Sequence, residues 1–121
     1  MKVDVEIELP LLPSLPDYGL NGFLPNGYFL EERGTSKKVF FLRCPASTGE
    51  RIDETISKFL AELHPLEGKL RELKAELRVG VFYDVRETVV FPFRLAKENV
   101  SRIASFDLSL DATIYVCSEE K

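Results

Sequence analysis

The chain of 121 residues contains one histidine and two cysteines, and that scarcity removes whole classes of chemistry. A zinc site takes three or four ligands, mostly Cys and His, and His64 with the widely separated Cys44 and Cys117 does not supply one. No metal and no other cofactor is expected. The two cysteines lie in apolar, strand-like contexts without CxxC spacing, which reads as two small buried residues rather than a disulfide or redox pair.

Basic charge is also short. Sixteen Lys and Arg face twenty Asp and Glu, for a net charge of −4, a balance that weakly repels nucleic-acid backbones. Long apolar runs are missing too. Nothing approaches the roughly twenty residues needed to span a bilayer, and the opening MKVDVEIELP breaks the uninterrupted apolar stretch that a signal peptide requires. A cytoplasmic protein without nucleic-acid or membrane partners is expected.

Catalytic motifs are equally sparse. Gly19, Gly22 and Gly27 occur in GLNGFLPNG, but the lysine of a phosphate-binding loop is absent. Ser47 and Thr48 lie outside any G-x-S-x-G elbow. Asp84, Glu87 and Asp107 could meet in space as paired carboxylates, although acids in hairpins and loops are common. The chain is expected not to be an enzyme.

What is present is core material. Apolar residues make up 45% of the chain, with nine Phe and four Tyr, enough for one domain of ordinary size. Lys2–Leu9 alternates strictly, as in a strand buried on one side. Tyr28–Arg33 and Lys37–Arg43, rich in aromatic and β-branched residues, flank a GTS turn and read as a hairpin. Ser47 and Glu50 have capping-box spacing, ahead of a helical stripe of Ile52, Ile56, Phe59, Leu60 and Leu63. Pro65 ends or bends that helix, and Leu66, Leu70 and Leu73 resume its spacing. Leu77, Val79, Val81 and Tyr83 signal a strand, with Glu87–Phe93 as its hairpin partner. Lys97–Ser105 is a short helix with Val100, Ile103 and Ala104 expected inward, and Ser109–Cys117 closes the chain as a strand.

From Lys37 the order is strand, helix, strand, strand, helix, strand. This implies an α+β, ferredoxin-like split βαβ domain: an antiparallel sheet, two helices on one face, and the N-terminal strand and hairpin as an extension.

Four segments carry a family resemblance: FLAELHPLEGKLREL, ELRVGVFYDVRETVVFPF, AKENVSRIASF and LSLDATIYV. Their hydrophobic spacing, over roughly Glu50–Val116, resembles the bacterial family called domain of unknown function 4279. The resemblance implies a compact α+β domain and carries no activity to particular residues. Some small acidic bacterial domains of this size act as immunity proteins that block a toxin.

His64 invites an acid/base reading. Glu62 points to another side of the helix, Glu67 lies beyond the proline, and a histidine at a helix C-terminus interacts favourably with the exposed carbonyls. The expected role is architectural.

The softer functional signal is the segment PLLPSLPDYGLNGFLPNG with the following Tyr28 and Phe29, an apolar loop punctuated by four prolines and three glycines. Such a loop folds back over the sheet or meets another molecule. A binding surface would use Tyr18, Phe23 and Tyr28 as aromatic anchors, with Asp17, Asp84 and Glu87 as acidic partners of a basic surface. The expected function is protein binding, with a toxin or a neighbour-encoded protein as partner. Two alternatives stay open. One is a sensor or enzyme with a small-molecule pocket between sheet and loop, which a deep enclosed pocket holding an unpaired buried carboxylate or His64 would favour and a flat or self-filled surface would count against. The other is self-association through an edge strand.

Overall fold

The computed structural model describes residues 2–10, 20, 22–34, 39–43, 48–49, 51–84, 86 and 93–117, with backbone only at 48, 49 and 117. The alternating N-terminal segment forms β1 (Lys2–Leu9), which buries Val3, Val5, Ile7 and Leu9 and turns Lys2, Asp4, Glu6 and Glu8 to the opposite face.

β1 is the middle of the sheet. β5 (Glu76–Asp84) runs antiparallel along one of its edges, with Lys2 opposite Phe82 and Glu8 opposite Glu76. The other edge is shared: β3 (Val39–Arg43) pairs with Ile7 to Leu9, and the short β4 (Thr48–Gly49) pairs with Val3 and Asp4. β2 (Phe29–Arg33) extends β3 antiparallel, as the expected hairpin requires, and β6 (Ser109–Cys117) lies parallel to β5. The path is β2-β3-β1-β5-β6, with β4 beside β1.

The α+β class is therefore present, but the sheet is mixed rather than antiparallel, and the N-terminal strand is central rather than an extension. The departure comes from β5 and β6, parallel neighbours joined through a helix because parallel strands need a long crossover. The expected strand at Glu87–Phe93 lies outside the described residues except for exposed, irregular Phe93.

Among the described residues three α-helices accompany the sheet. α1 (Ile52–Glu62) buries Ile52, Ile56, Phe59 and Leu60, and Leu63 just beyond it is also buried. Each such side chain contributes about 1.5–3 kcal/mol of hydrophobic stabilisation. The expected capping box does not start this helix: Arg51 occupies the cap position, and Thr48–Gly49 belongs to β4. Thr55 instead hydrogen-bonds from its hydroxyl to the Arg51 carbonyl at 2.6 Å. Pro65 sits in a single 3-10 turn (His64–Leu66), and α2 (Glu67–Leu73) resumes at once, burying Leu66 and Leu70.

α3 (Lys97–Ser105) is rotated from its expected phase. Ile103 faces inward, but Val100 is 52% exposed, Ala104 is exposed, and Asn99 is buried instead. Asp53 of α1 explains the rotation. It accepts from the backbone N–H of Ala96, the residue before the helix, at 2.9 Å and from Asn99 Nδ2 at 2.8 Å, which turns Asn99 inward. Among the described residues no helix is long and apolar enough to cross a membrane.

The described part of the apolar loop folds back. Leu20 and Tyr28 join the core and Leu24 packs against it, whereas Phe23 is 59% exposed. Among the described residues the helices and this loop cover the face carrying Val3, Val5 and Ile7, and no described helix lies on the other face.

Candidate ligand-binding site

The open face is built by the outward half of each alternation. Opposed positions across β1, β5 and β6 place Asp4 beside Gly80 and Gly80 beside Thr113. The adjacent row is Lys2, Phe82 and Tyr115. On the other side lie Glu6, Arg78 and Asp111. In this grid Gly80 is the position without a side chain, and beside it a hollow of about 280 Å³ is lined by Gly80, Asp4, Arg78, Phe82, Thr113 and Tyr115 among others.

Glycine inside a strand weakens it and commonly marks a close approach of another group. Here a Cβ on Gly80 would stand 3.3 Å from the Phe82 ring and 3.4 Å from the Tyr115 ring. Those rings stack on each other with centroids 4.6 Å apart and form one wall. On the β2–β3 side, Phe41 is buried under the Arg33 guanidinium, 4.0 Å from its ring centre.

The charges of this face form a lattice. Arg33 grips Glu6 with two hydrogen bonds of 2.8 and 3.0 Å and also pairs with Glu31. Arg43 stands 3.6 Å from Glu6 and 3.5 Å from Glu31. Arg78 binds Glu8 at 2.7 Å and stands 3.6 Å from Asp111, separating Glu8 from Glu76 across the strand pair. These guanidinium groups all have carboxylate partners.

Asp4 is the exception on the acid side. Its Oδ1 is buried without a hydrogen-bond partner, and Oδ2 lies 3.8 Å from Arg43, too far for a hydrogen bond. Burial pushes the Asp4 carboxyl above its ordinary value of 3.8, against the opposing pull of Arg43.

A second hollow, about 390 Å³, lies among the helices and is lined by Leu60, Ala61, His64, Glu67, Arg102 and Phe106. It is larger but chemically weaker. His64 is 76% exposed, and its Nδ1 is 3.7 Å from Glu67, which the 3-10 turn brings back into reach despite the proline. Arg102 already donates to the Ser57 carbonyl and hydroxyl, and Glu67 accepts from Arg71.

The residues marked by sequence as partner contacts have separate surroundings. Asp17, Tyr18 and Glu87 lie outside the described residues. Phe23 is exposed with the Lys69 ammonium 4.4 Å from its ring centre. Tyr28 is only 8% exposed, packs 5.8 Å from Phe59 and donates its hydroxyl to Glu62 at 2.7 Å, so it is a core residue rather than an exposed anchor. Asp84 accepts from the Arg86 side chain and backbone, which hold its carboxyl below the usual range. Asp107 pairs with Lys74, so Asp84 and Asp107 are each held by a different base.

Sequence reasoning missed Asp4, Gly80, Phe82 and Tyr115 as a group. The available signal was Gly80, an interruption in an otherwise regular strand two positions before an aromatic residue. Among the described residues no cluster of three or more His, Cys, Asp or Glu side chains could hold a metal ion. No family model, curated protein or solved structure matches the chain.

Proposed function

We propose that this α+β domain binds a small molecule on the open face of its sheet, over Gly80, without transforming it. The observation that carries the reading is the hollow containing a carboxylate with no hydrogen-bond partner. Leaving a buried acceptor unsatisfied costs about 1–3 kcal/mol, and a bound donor would recover part of that. A volume of about 280 Å³ is at the small end of ligand pockets, which suits a metabolite-sized molecule. The lining consists of carboxylates, guanidinium groups and rings, groups that hold and orient, and among its described residues there is no His, Cys or Ser.

The test is a fragment screen followed by amide chemical shifts of the ¹⁵N-labelled protein. Perturbations should centre on Asp4, Gly80 and Thr113, and Gly80→Val should remove them. Gly80→Ala is the milder control, because its Cβ meets only the movable ends of two rings. Fragments that perturb only other surfaces would overturn the reading.

A second reading, protein binding to a toxin or neighbour-encoded partner, draws on β6. In register with buried Leu77, Val79 and Val81, its Leu110 and Ile114 are 40% and 51% exposed, and Val116 is 58% exposed. Such an edge can receive a strand from a partner.

A further inference from the structure

We infer that the ligand of the open-face hollow is an organic ammonium ion with a flat or apolar body. The inference rests on the reading of that hollow as a ligand site and goes beyond it in naming the chemistry. Hydrogen-bonding capacity is the first argument. Arg33 and Arg78 enter the hollow already bonded to Glu6 and Glu8, whereas Asp4 enters with no hydrogen bond on either oxygen. The unmet need is for a donor.

Charge balance is the second argument. On this face the described acids are Asp4, Glu6, Glu8, Glu31, Glu76, Asp111 and Asp84, against the bases Lys2, Arg33, Arg43 and Arg78 together with Arg86, which pairs with Asp84. Acids outnumber bases by two, so a cation entering the hollow improves the balance and an anion worsens it. A charge-assisted bond from an ammonium to a carboxylate is about twice as strong as a neutral one.

Shape is the third. Asp4 stands directly across from Gly80, and the stacked Phe82 and Tyr115 rings lean over the same glycine. An ammonium held at Asp4 therefore places its body against the rings that cover Gly80. Their π-electrons also favour a nearby cation. Asp4 retains about a quarter of its side-chain exposure and lines the hollow.

The experiment compares three probes with one body and different charge: phenethylamine, phenethyl alcohol and phenylacetate. Each is titrated into the ¹⁵N-labelled full chain while the Asp4, Gly80 and Thr113 amides are followed. The amine is expected to bind about tenfold more tightly than the alcohol, and phenylacetate more weakly still. Asp4→Asn, with its fold checked by amide dispersion, should reduce the amine to about the affinity of the alcohol and change the alcohol by a much smaller factor; Asp4→Ser serves if the first variant misfolds. Equal or tighter binding of the alcohol or phenylacetate at the same amides would overturn the ammonium assignment and leave the hollow as a ligand site. Failure of all three probes, and of the wider fragment screen, to perturb those amides would overturn both.

Discussion

Asp53 and Asn99 clasp α1 to α3: Asn99 Nδ2 donates to Asp53 Oδ1 at 2.8 Å and to the Asp53 carbonyl at 2.9 Å. The start of α3 has no side-chain cap hydrogen bond, and Asp53 of another helix holds it through the Ala96 N–H and the Asn99 side chain. This arrangement buries a polar residue at a helix position where the hydrophobic pattern favours its neighbour. Asn99→Ala is expected to cost about 1–3 kcal/mol, since it leaves Asp53 with fewer donors in a partly buried setting. Val100→Ala, at an exposed site, should stay within about 0.5 kcal/mol. Urea denaturation of the two variants checks the contrast, and equal losses would contradict the helix rotation.

Two aspartates should move stability with pH in opposite directions. Hydrogen bonds from Ala96 and Asn99 hold the Asp53 carboxyl below its ordinary value of 3.8, so its contribution is present above that pH and lost as pH falls through the folded value. Burial raises Asp4. Its contribution is fully present below 3.8 and lost as pH rises through the raised value. Asp4→Asn, which cannot ionise, is therefore expected to melt at a higher temperature than the parent at pH 7. The advantage should shrink toward zero at about pH 3. Thermal melts across that range decide the matter, and a variant less stable at neutral pH would show that the pairing with Arg43 outweighs burial.

Lys74 and Asp107 occupy equivalent places, each in a left-handed backbone conformation between a helix and the strand that follows, with φ of 55° and 54°. They are ion-paired to each other. Side chains other than glycine pay about 1–2 kcal/mol for this conformation, and Asp pays less than Lys. An exposed ion pair returns about 0–1 kcal/mol. Lys74→Gly should therefore stabilise the fold by roughly 0.5–1 kcal/mol, measured by chemical denaturation. A loss of stability would assign the ion pair a larger share than exposed pairs usually have.

Ile114 tests the second functional reading. Its side chain is half exposed on β6, which with β2 ends the strand order among the described residues. Ile114→Lys adds a charge of the kind that protects natural edges and should change stability by less than about 0.5 kcal/mol. If a protein adds a strand at this edge, binding to the product of an adjacent gene falls at least about tenfold in Ile114→Lys. If Ile114→Lys binds as the parent does, β6 is not the receiving edge.

The elements themselves were legible where periodicity was strong. Lys2–Leu9 alternates without a break, and the α1 stripe from Ile52 to Leu63 follows helical spacing. Their neighbours were not legible. Which strand lies beside β1 depends on contacts far apart in the chain, and the local pattern of Val3, Val5 and Ile7 is satisfied equally well in a central or an outer place. Val100 misled because it fits a hydrophobic stripe, while the Asp53 side chain that turns α3 belongs to a different helix. The site stayed hidden for a related reason. Asp4, Glu6 and Glu8 read as a solvated face, and only the register against β5 reveals that Asp4 stands opposite a residue with no side chain.

The central place of β1 also constrains how the chain folds. Val3 pairs with Val81 and Ile7 with both Leu42 and Leu77, so β1 cannot be enclosed on both edges until β5, later in the chain, has been made. Such distant pairings slow folding because their loop-closure entropy must be met before the contacts reward it. On the ribosome, the apolar face of β1 must wait through the synthesis of β2, β3, α1 and α2. A chain halted before Glu76 would leave one edge of that strand unpaired, which makes the interval before β5 emerges the period of greatest exposure to aggregation.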